Sequence, residues 1–222
     1  MPGRSVYNNS SIDETVFEQI RLYAQQTLCT EIAIIYSYHN YAHTRYVVSN
    51  ALEIAKRMNY QLIDFQLIEL SAWYHDLGFV LGSKKHEKRG AEILGRIMRE
   101  NGIDFTMIKK AQLAIESTVI DSPPLNEYGA ILKDADTGHL AFSDYRSCET
   151  LLRKELRIAE GKSFLNTDWK QKNIEFFESH NYYTKAGKFL FKDGKQSNLM
   201  TLKKRDYGII SYIIDTNRVY RY

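Results

Sequence analysis

The sequence is poor in the residues that break helices or cross-link a chain. Its 222 residues include only three prolines and two cysteines. So few prolines allow long helices. Cys29 and Cys148 stand far apart and neither belongs to a Cys-x-x-Cys motif, which argues against a zinc knuckle or a disulfide framework. We expect both to be buried thiols in a reducing compartment.

Long apolar runs and a strong charge of one sign are also missing. No run approaches the roughly 20 residues that a bilayer-spanning helix needs, and the first ten residues contain no apolar signal core. These absences predict a cytoplasmic protein that does not contact a membrane. A net charge of +3 is too small to indicate a nucleic-acid binder. The basic residues near the C-terminus are typical of a solvated surface, although they could attract an anionic ligand.

Apolar residues recur at helical spacing along most of the chain and predict an all-α protein. We expect one domain over residues 1–222, since a chain of this length can bury a sizeable core. Ser11 and Glu14 have the form of a capping box, with Ser11 as the N-cap. Residues 82–90 read as a polar loop, and Asp193-Gly194 predicts a hairpin or loop over residues 189–195. Further helices are predicted at about 39–60, 64–76, 91–101, 108–122, 127–140, 144–160, 169–180 and after 198.

The pair His75-Asp76 is the most informative feature. It follows the hydrophobic stretch 67–74, and a carboxylate at the end of an apolar helix is costly to bury without a partner. Asp136 shares a helical stripe with Leu132 and Ala135, so it too needs a cation or several donors. We expect its neighbour Asp134 to be solvated.

His39 and His43 are four residues apart, which would place both imidazoles on one face of a helix. Such a pair alone is more often incidental, and a His-Asp dipeptide alone is common. Taken together, histidines and aspartates without a thiolate suit Mn, Mg, Fe, Co, Ni or Zn better than a structural zinc site. Ligands carried on several helices of one bundle are typical of helical metalloenzymes.

The order of these residues resembles the H…HD…D signature of the HD-domain superfamily of metal-dependent phosphohydrolases. The resemblance covers about residues 30–145 and implies a helical HD core there, with a helical C-terminal extension over about 146–222. The remainder resembles a branch of predicted HD phosphohydrolases without an assigned substrate. The phrases that carry both resemblances are Tyr38–Thr44, Ala72–Phe79, Leu132–Asp136, Leu152–Glu155 and Phe177–Thr184.

By this resemblance, the ligands of a first metal are His43, His75, Asp76 and Asp136. Asp76 is also a catalytic candidate, as the carboxylate that would bridge two metals. His39 is placed like the histidine that serves as general acid in cyclic-nucleotide phosphodiesterases.

Two further residues are candidates for a second metal. His86 lies in a phrase that resembles the His-Pro-x-x-Gly of HD-GYP proteins, with Glu87 in place of the proline, and Glu116 lies where that family places further ligands. The alternatives are a phosphate-facing loop histidine for His86 and a surface acid for Glu116.

Lys85 and Arg89 are candidates for binding the substrate phosphate, because a phosphorylated substrate needs cations near the metal. The alternative is a solvated loop rich in lysine. His139 reads either as a support for the ligands or as a histidine on a helix face, and His180 as a packed histidine.

The function that fits best is hydrolysis of a nucleotide or another small phosphate ester, mono- or diester, by water activated on one or two divalent ions. Two alternatives remain open. One is a di-iron oxygenase of the HD type, because the ligand set also suits iron. The other is a non-catalytic sensor that binds nucleotides. The sequence does not indicate an oligomeric state.

Overall fold

A computed structural model describes residues 11–32 and 34–205. Within these ranges the chain is helical and contains no strand, which confirms the all-α prediction. A π-helical turn spans Leu28–Ile32, and two 3-10 turns span Leu77–Leu81 and Thr137–Ala141. The α-helices are α1 (Glu14–Thr27), α2 (Tyr41–Ala55), α3 (Leu62–Tyr74), α4 (His86–Glu100), α5 (Phe105–Glu116), α6 (Glu127–Asp136), α7 (Tyr145–Glu160), α8 (Asn166–Ser179) and α9 (Lys185–Lys204).

Helix α3 lies at the centre of the core and contacts α1, α2, α4, α5 and α6. Its residues are apolar on nearly every side, and Leu70, Ala72 and Tyr74 have no exposed surface. A helix that is hydrophobic all round is stable only when other helices cover it on all sides. This packing fixes the C-terminal end of α3, where His75 and Asp76 follow, in the interior of the protein.

Three local predictions were wrong. Helix α1 is capped by Asp13, whose Oδ1 accepts hydrogen bonds from the backbone N–H groups of Thr15 and Val16, and not by Ser11. Helix α4 begins at His86, inside the expected polar loop. Helix α9 runs unbroken through Asp193-Gly194. A Cβ at Gly194 would stand 2.5 Å from the carbonyl oxygen of Ala141, so this glycine serves close packing and not a turn.

The C-terminal helices pack closely against the segment that carries Asp136. Helix α9 contacts α6 and the 3-10 turn Thr137–Ala141. Asp134 is fully buried, and its carboxylate accepts hydrogen bonds from the backbone N–H groups of Tyr183 and Thr184 at 2.7 and 2.8 Å. The prediction that Asp134 is solvated was therefore wrong, because its partners lie almost fifty residues away in sequence.

The cysteines and the membrane prediction can also be compared with the structure. Cys29 is exposed and Cys148 is half-buried, so neither is the fully buried thiol we expected. Within residues 11–32 and 34–205, no helix is both long enough and apolar enough to cross a membrane. Residues 206–222, which complete the expected C-terminal extension, lie outside the described residues, and the division into core and extension stays a prediction.

Candidate metal centre

The first ligand candidate stands at the start of α2. Asn40 caps this helix: its Oδ1 accepts from the backbone N–H groups of Ala42 and His43, and its Nδ2 donates to the carbonyl of Ser37. The cap holds His43 in the first turn. His39 precedes the helix, so the two histidines do not share a helix face as expected. Their rings are nevertheless close, with centroids 5.6 Å apart.

His75 and Asp76 follow the last residue of α3. The Nδ1 of His75 lies 2.7 Å from the carbonyl oxygen of Ala72, so Nδ1 donates there, and the neutral ring has its lone pair on Nε2. A backbone carbonyl that orients a histidine in this way is typical of metal-binding imidazoles. His75 and Asp76 are 1% and 2% exposed.

Asp136, the last residue of α6, meets these groups across the bundle. Its Oδ1 lies 3.2 Å from Nε2 of His43 and 3.8 Å from Nε2 of His75. The Oδ2 of Asp76 lies 3.4 Å from the same nitrogen of His43 and 3.1 Å from that of His75. One ligand atom from each of His43, His75 and Asp136 falls within 4.8 Å of the others, so these three residues could hold one metal ion.

Three polar atoms at this point form no hydrogen bond within the described protein, although they lie close to groups of opposite charge. Nε2 of His43, Nε2 of His75 and Oδ2 of Asp76 are buried and make no hydrogen bond. A buried polar atom without a hydrogen bond costs free energy, and three that converge on one point are typical of a cation-binding site. The residues present therefore fit a divalent metal with nitrogen and oxygen ligands.

The charges favour ionised carboxylates. Burial alone would raise the pKa of Asp76, but the imidazoles of His75 and His39 hold it well below its usual value. Burial likewise opposes ionisation of Asp136, yet His43 and His75 lower its pKa to about 2. Burial would lower the pKa of His75, but Asp76 raises it to about 9. Because a ligating histidine must be neutral, a metal ion would displace a proton from this cluster, and its affinity should fall in acid.

Glu155 of α7 is a member of the site that sequence reasoning missed as a functional residue. Its Oε1 lies 2.5 Å from Nδ1 of His39, and its Oε2 accepts from the backbone N–H groups of Tyr38 and His39 at 2.8 and 3.0 Å. Burial would lower the pKa of His39, but the charges of Asp76 and Glu155 raise it overall. One signal in the sequence could have pointed to Glu155: its carboxylate lies at helical spacing from Cys148 and Leu151 on α7.

His86 reaches the other oxygen of Asp76. Its Nε2 lies 3.5 Å from Oδ1, while its Nδ1 donates to the carbonyl of Ser83 at 2.9 Å. Two glycines permit this approach. A Cβ at Gly78 would stand 2.0 Å from the carbonyl oxygen of His86, and one at Gly90 would stand 2.4 Å from that of Tyr74.

A scan against protein-family models matches residues 40–140 to the HD domain. The protein contains an HD domain. Proteins of this family are in general metal-dependent hydrolases, and the match includes His43, His75, Asp76 and Asp136. His39 and Glu155 lie outside the matched residues of the HD domain.

A comparison with solved structures finds a protein whose fold is similar to that of this chain. A crystal structure of a Lactobacillus plantarum protein, solved as a Northeast Structural Genomics target, is similar with a TM-score of 0.64 and 17% sequence identity. The similarity covers 87% of this chain and 96% of that one. At this identity the similarity concerns the fold alone. A search of curated proteins gives no match.

The remaining candidates lie around the candidate ligands of the HD domain in different ways. Glu116 ends α5 and is half-buried, and its side chain makes no hydrogen bond or ion pair with a described residue. Lys85 is exposed and adopts a left-handed backbone conformation, with φ of 57°, directly before α4. Arg89 donates to the backbone carbonyls of Gly82 and Lys84, so its guanidinium holds the loop.

Two histidines beyond Asp136 are held by neutral partners. The Nδ1 of His139 donates to the carbonyl of Asp136 at 2.9 Å, and burial lowers its pKa to about 4. His180 is bonded through Nε2 to the hydroxyl of Thr137 at 3.0 Å. Burial lowers the pKa of His180 to about 4 as well, so both histidines are neutral near pH 7.

Proposed function

We propose that this protein is a metal-dependent phosphohydrolase that cleaves a phosphate ester of a small molecule with an activated water. The observation that carries the proposal is the convergence of three buried ligand atoms that form no hydrogen bond, beside a histidine held by a buried carboxylate. The HD domain supports it, because this family consists in general of metal-dependent hydrolases.

His43, His75, Asp76 and Asp136 would hold the metal. When bound, a divalent ion at such a site supplies a water of lowered pKa and neutralises charge on the phosphate oxygens. The four side chains come from the start of α2 and the ends of α3 and α6, so they are fixed by the core and do not depend on a loop. A rigid set of this kind keeps the reacting groups aligned.

His39 would donate the proton that the departing oxygen needs. In its protonated form, Nδ1–H donates to Glu155 and Nε2–H remains for transfer. Glu155 fixes the ring, and the charges of Asp76 and Glu155 raise the pKa of His39 and favour its protonated state. Loss of a general acid of this type usually costs about 10²- to 10⁴-fold in rate.

A second ion would use Asp76 as its bridge. The two oxygens of Asp76 face different partners, Oδ2 toward His43 and His75 and Oδ1 toward His86. The placement of His86 supports the proposal of a second ion, whereas no contact among the described residues joins Glu116 to the cluster. Lys85 remains a candidate for the substrate phosphate, and Arg89 would first have to leave its carbonyl partners.

The test is a screen of the purified protein loaded in turn with Mn, Mg, Fe, Co, Ni or Zn against phosphate monoesters and diesters. We expect product release with at least one metal, and a loss of at least about 10³-fold in Asp76→Asn, whose side chain keeps the shape but loses the charge. Asp168→Asn, at an exposed position of α8, is the control and should keep full activity.

The result decides between the open alternatives. Hydrolysis with Mn or Mg without oxygen excludes an obligatory oxygenase reaction. If no metal-loaded form releases product from any ester, the proposed function is wrong. Circular dichroism of Asp76→Asn shows whether its loss of activity comes from the site or from unfolding.

A further inference from the structure

Phe79 lies in the 3-10 turn that follows the His75-Asp76 pair. Its backbone N–H donates to the carbonyl of Asp76 at 3.0 Å, and this bond fixes the turn directly after the candidate ligands. The side chain of Phe79 is only 5% exposed. The turn thus directs a buried aromatic ring toward the segments that surround the candidate metal centre.

Two imidazoles stack on this ring. The ring of His39 is nearly parallel to that of Phe79, with centroids 4.6 Å apart and an interplanar angle of 21°. The ring of His86 is also nearly parallel to it, at 4.0 Å and 27°. Stacked aromatic pairs attract each other beyond the area that they bury. One phenyl ring therefore contacts both the candidate general acid and the candidate ligand of a second metal.

The face contact restrains a motion that the hydrogen bonds of the two histidines leave free. His39 is bonded through Nδ1 to Glu155, and His86 through Nδ1 to the carbonyl of Ser83. A single hydrogen bond fixes one atom of an imidazole, and the ring can still tilt about that atom. A flat surface against the ring fixes its plane, and with it the direction of Nε2, the atom that would donate a proton or bind an ion.

The other described rings beside His39 do not provide such a surface. Tyr38 and His43 meet it edge-on, with interplanar angles of 87° and 82°, and His86 is tilted by 46°. An edge contact limits the approach of two rings but leaves the imidazole without a parallel neighbour. Among the described residues, Phe79 is thus the one ring that lies flat against His39.

We propose that Phe79 is a positioning residue, whose ring holds the imidazoles of His39 and His86 in the orientations that proton transfer and the binding of a second ion require. The inference rests on the proposed phosphohydrolase function and deepens it. In this role Phe79 touches no substrate atom and acts through the two histidines. Its loss should therefore impair the step that depends on His39, and leave the first metal in place.

The first test is the leaving-group dependence of Phe79→Leu. Leucine remains apolar but has no flat face, so the acid should be misaligned and kcat should fall about 10- to 100-fold for an alkyl phosphate. A nitrophenyl ester, whose leaving group needs little protonation, should lose much less. KM and the content of the first metal should change little.

Phe17→Leu is the matched control. Phe17 lies on α1, is 6% exposed, and makes no ring contact with a described histidine. The variant should leave the ratio of the two rates unchanged. If Phe79→Leu does not fold, Phe79→Met gives the same comparison, because its flexible chain fills the space of the ring without a flat face.

Two kinetic results would overturn the inference. Equal losses for both esters, together with a loss of metal, would show that Phe79 only supports the fold. Unchanged rates for both esters would show that His39 keeps its orientation without Phe79.

A spectroscopic measurement keeps this inference separate from the proposed function. The Nδ1–H groups of His39 and His86 both donate hydrogen bonds, and imidazole protons that are held in this way give downfield signals in proton NMR. We expect both signals in wild-type protein and in Phe17→Leu. In Phe79→Leu we expect their loss through exchange with water. The measurement needs neither metal nor substrate.

The two measurements can fail independently. If no ester is cleaved but the signals depend on Phe79, the hydrolase fails and the positioning role stands. If esters are cleaved and both signals persist in Phe79→Leu, the positioning role is overturned while the hydrolase stands. A histidine whose signal alone persists is not held by Phe79. Wild-type protein without either signal would show that neither ring is held, and would overturn the inference too.

Discussion

Two regions of the molecule contribute to the candidate site in different ways. The HD domain at residues 40–140 supplies every atom proposed to bind the first metal. Helices α7 and α9 supply no ligand, yet Glu155 holds His39 and the backbone at 183–184 holds Asp134, two residues from Asp136. The ligands follow from short motifs at helix ends, whereas their orientation depends on contacts between distant parts of the chain. A fragment with the HD domain alone would keep the proposed ligands and lose the contacts that orient them.

Replacing a ligand of the HD domain should have the largest effect. His75→Asn removes a buried Nε2 from the cluster, so we expect the bound metal to fall to background and hydrolysis to fall at least about 10³-fold. Metal analysis after gel filtration, together with phosphate release, measures both. A variant that retains full metal content and activity would remove His75 from the ligand set.

Glu155→Gln tests the contribution of α7. The variant keeps a hydrogen-bonding side chain but loses the charge that favours protonated His39, so kcat should fall about 10- to 100-fold for alkyl esters. The loss should be much smaller for a nitrophenyl ester, whose leaving group needs little protonation. KM should change little.

A purely structural role for Glu155 makes a different prediction. It would lower the rates for both esters equally and reduce the metal content. Glu149→Gln is a matched control, since Glu149 is a buried acid on the same helix that pairs with Arg205 and not with His39. It should not change the ratio of the two rates.

Gly78→Ala should destabilise the connection between α3 and α4. The added Cβ would stand 2.0 Å from the carbonyl oxygen of His86, and a backbone clash of this kind typically costs about 1–3 kcal/mol or more. Urea denaturation measures the change in the free energy of unfolding. Because His86 must move, the affinity for any second ion should also fall. An unchanged free energy of unfolding would show that the two segments are not held this closely. Gly161→Ala has the opposite properties, because no atom lies within 4 Å of its added Cβ but its φ is +65°, so it measures the strain of a positive φ without a clash.

The smallest expected effect is on stability at low pH, and it concerns His180, which lies between α8 and α9. Thr137 donates its hydroxyl to the carbonyl of Lys133, so it accepts from Nε2–H of His180 and leaves the buried Nδ1 unprotonated. Burial lowers the pKa of His180 to about 4 from a usual value near 6.5. As the pH drops, the unfolded chain therefore binds a proton at His180 before the folded chain does. Stability should fall as the pH drops from 6.5 toward 4. His180→Asn should lose less stability over that range, as measured by the melting temperature. Equal pH dependence in both proteins would contradict this assignment.

Sequence reasoning succeeded where a single helix carries the information. The apolar stripe of α2 and the continuous apolar stretch of α3 predicted both helices, because a helix must bury such surface. Sequence reasoning failed where contacts with a distant segment determine the surroundings of a residue. Asp134 and Asp136 stand two residues apart, yet Asp134 is buried by hydrogen bonds to residues 183–184. The dipeptide Asp193-Gly194 predicted a turn, but Gly194 instead permits α9 to approach Ala141.

By itself, the sequence determined an all-α protein and the presence of a histidine and aspartate set at helix ends, since periodicity and motif spacing are local properties of the chain. Only the tertiary structure decided which atoms converge. It brought Glu155 to His39 across more than a hundred residues, directed the two oxygens of Asp76 toward different histidines, and placed the ring of Phe79 against both His39 and His86. The physical reason is that burial and hydrogen-bond satisfaction are properties of the whole packed molecule, and these determine which charged groups need a partner.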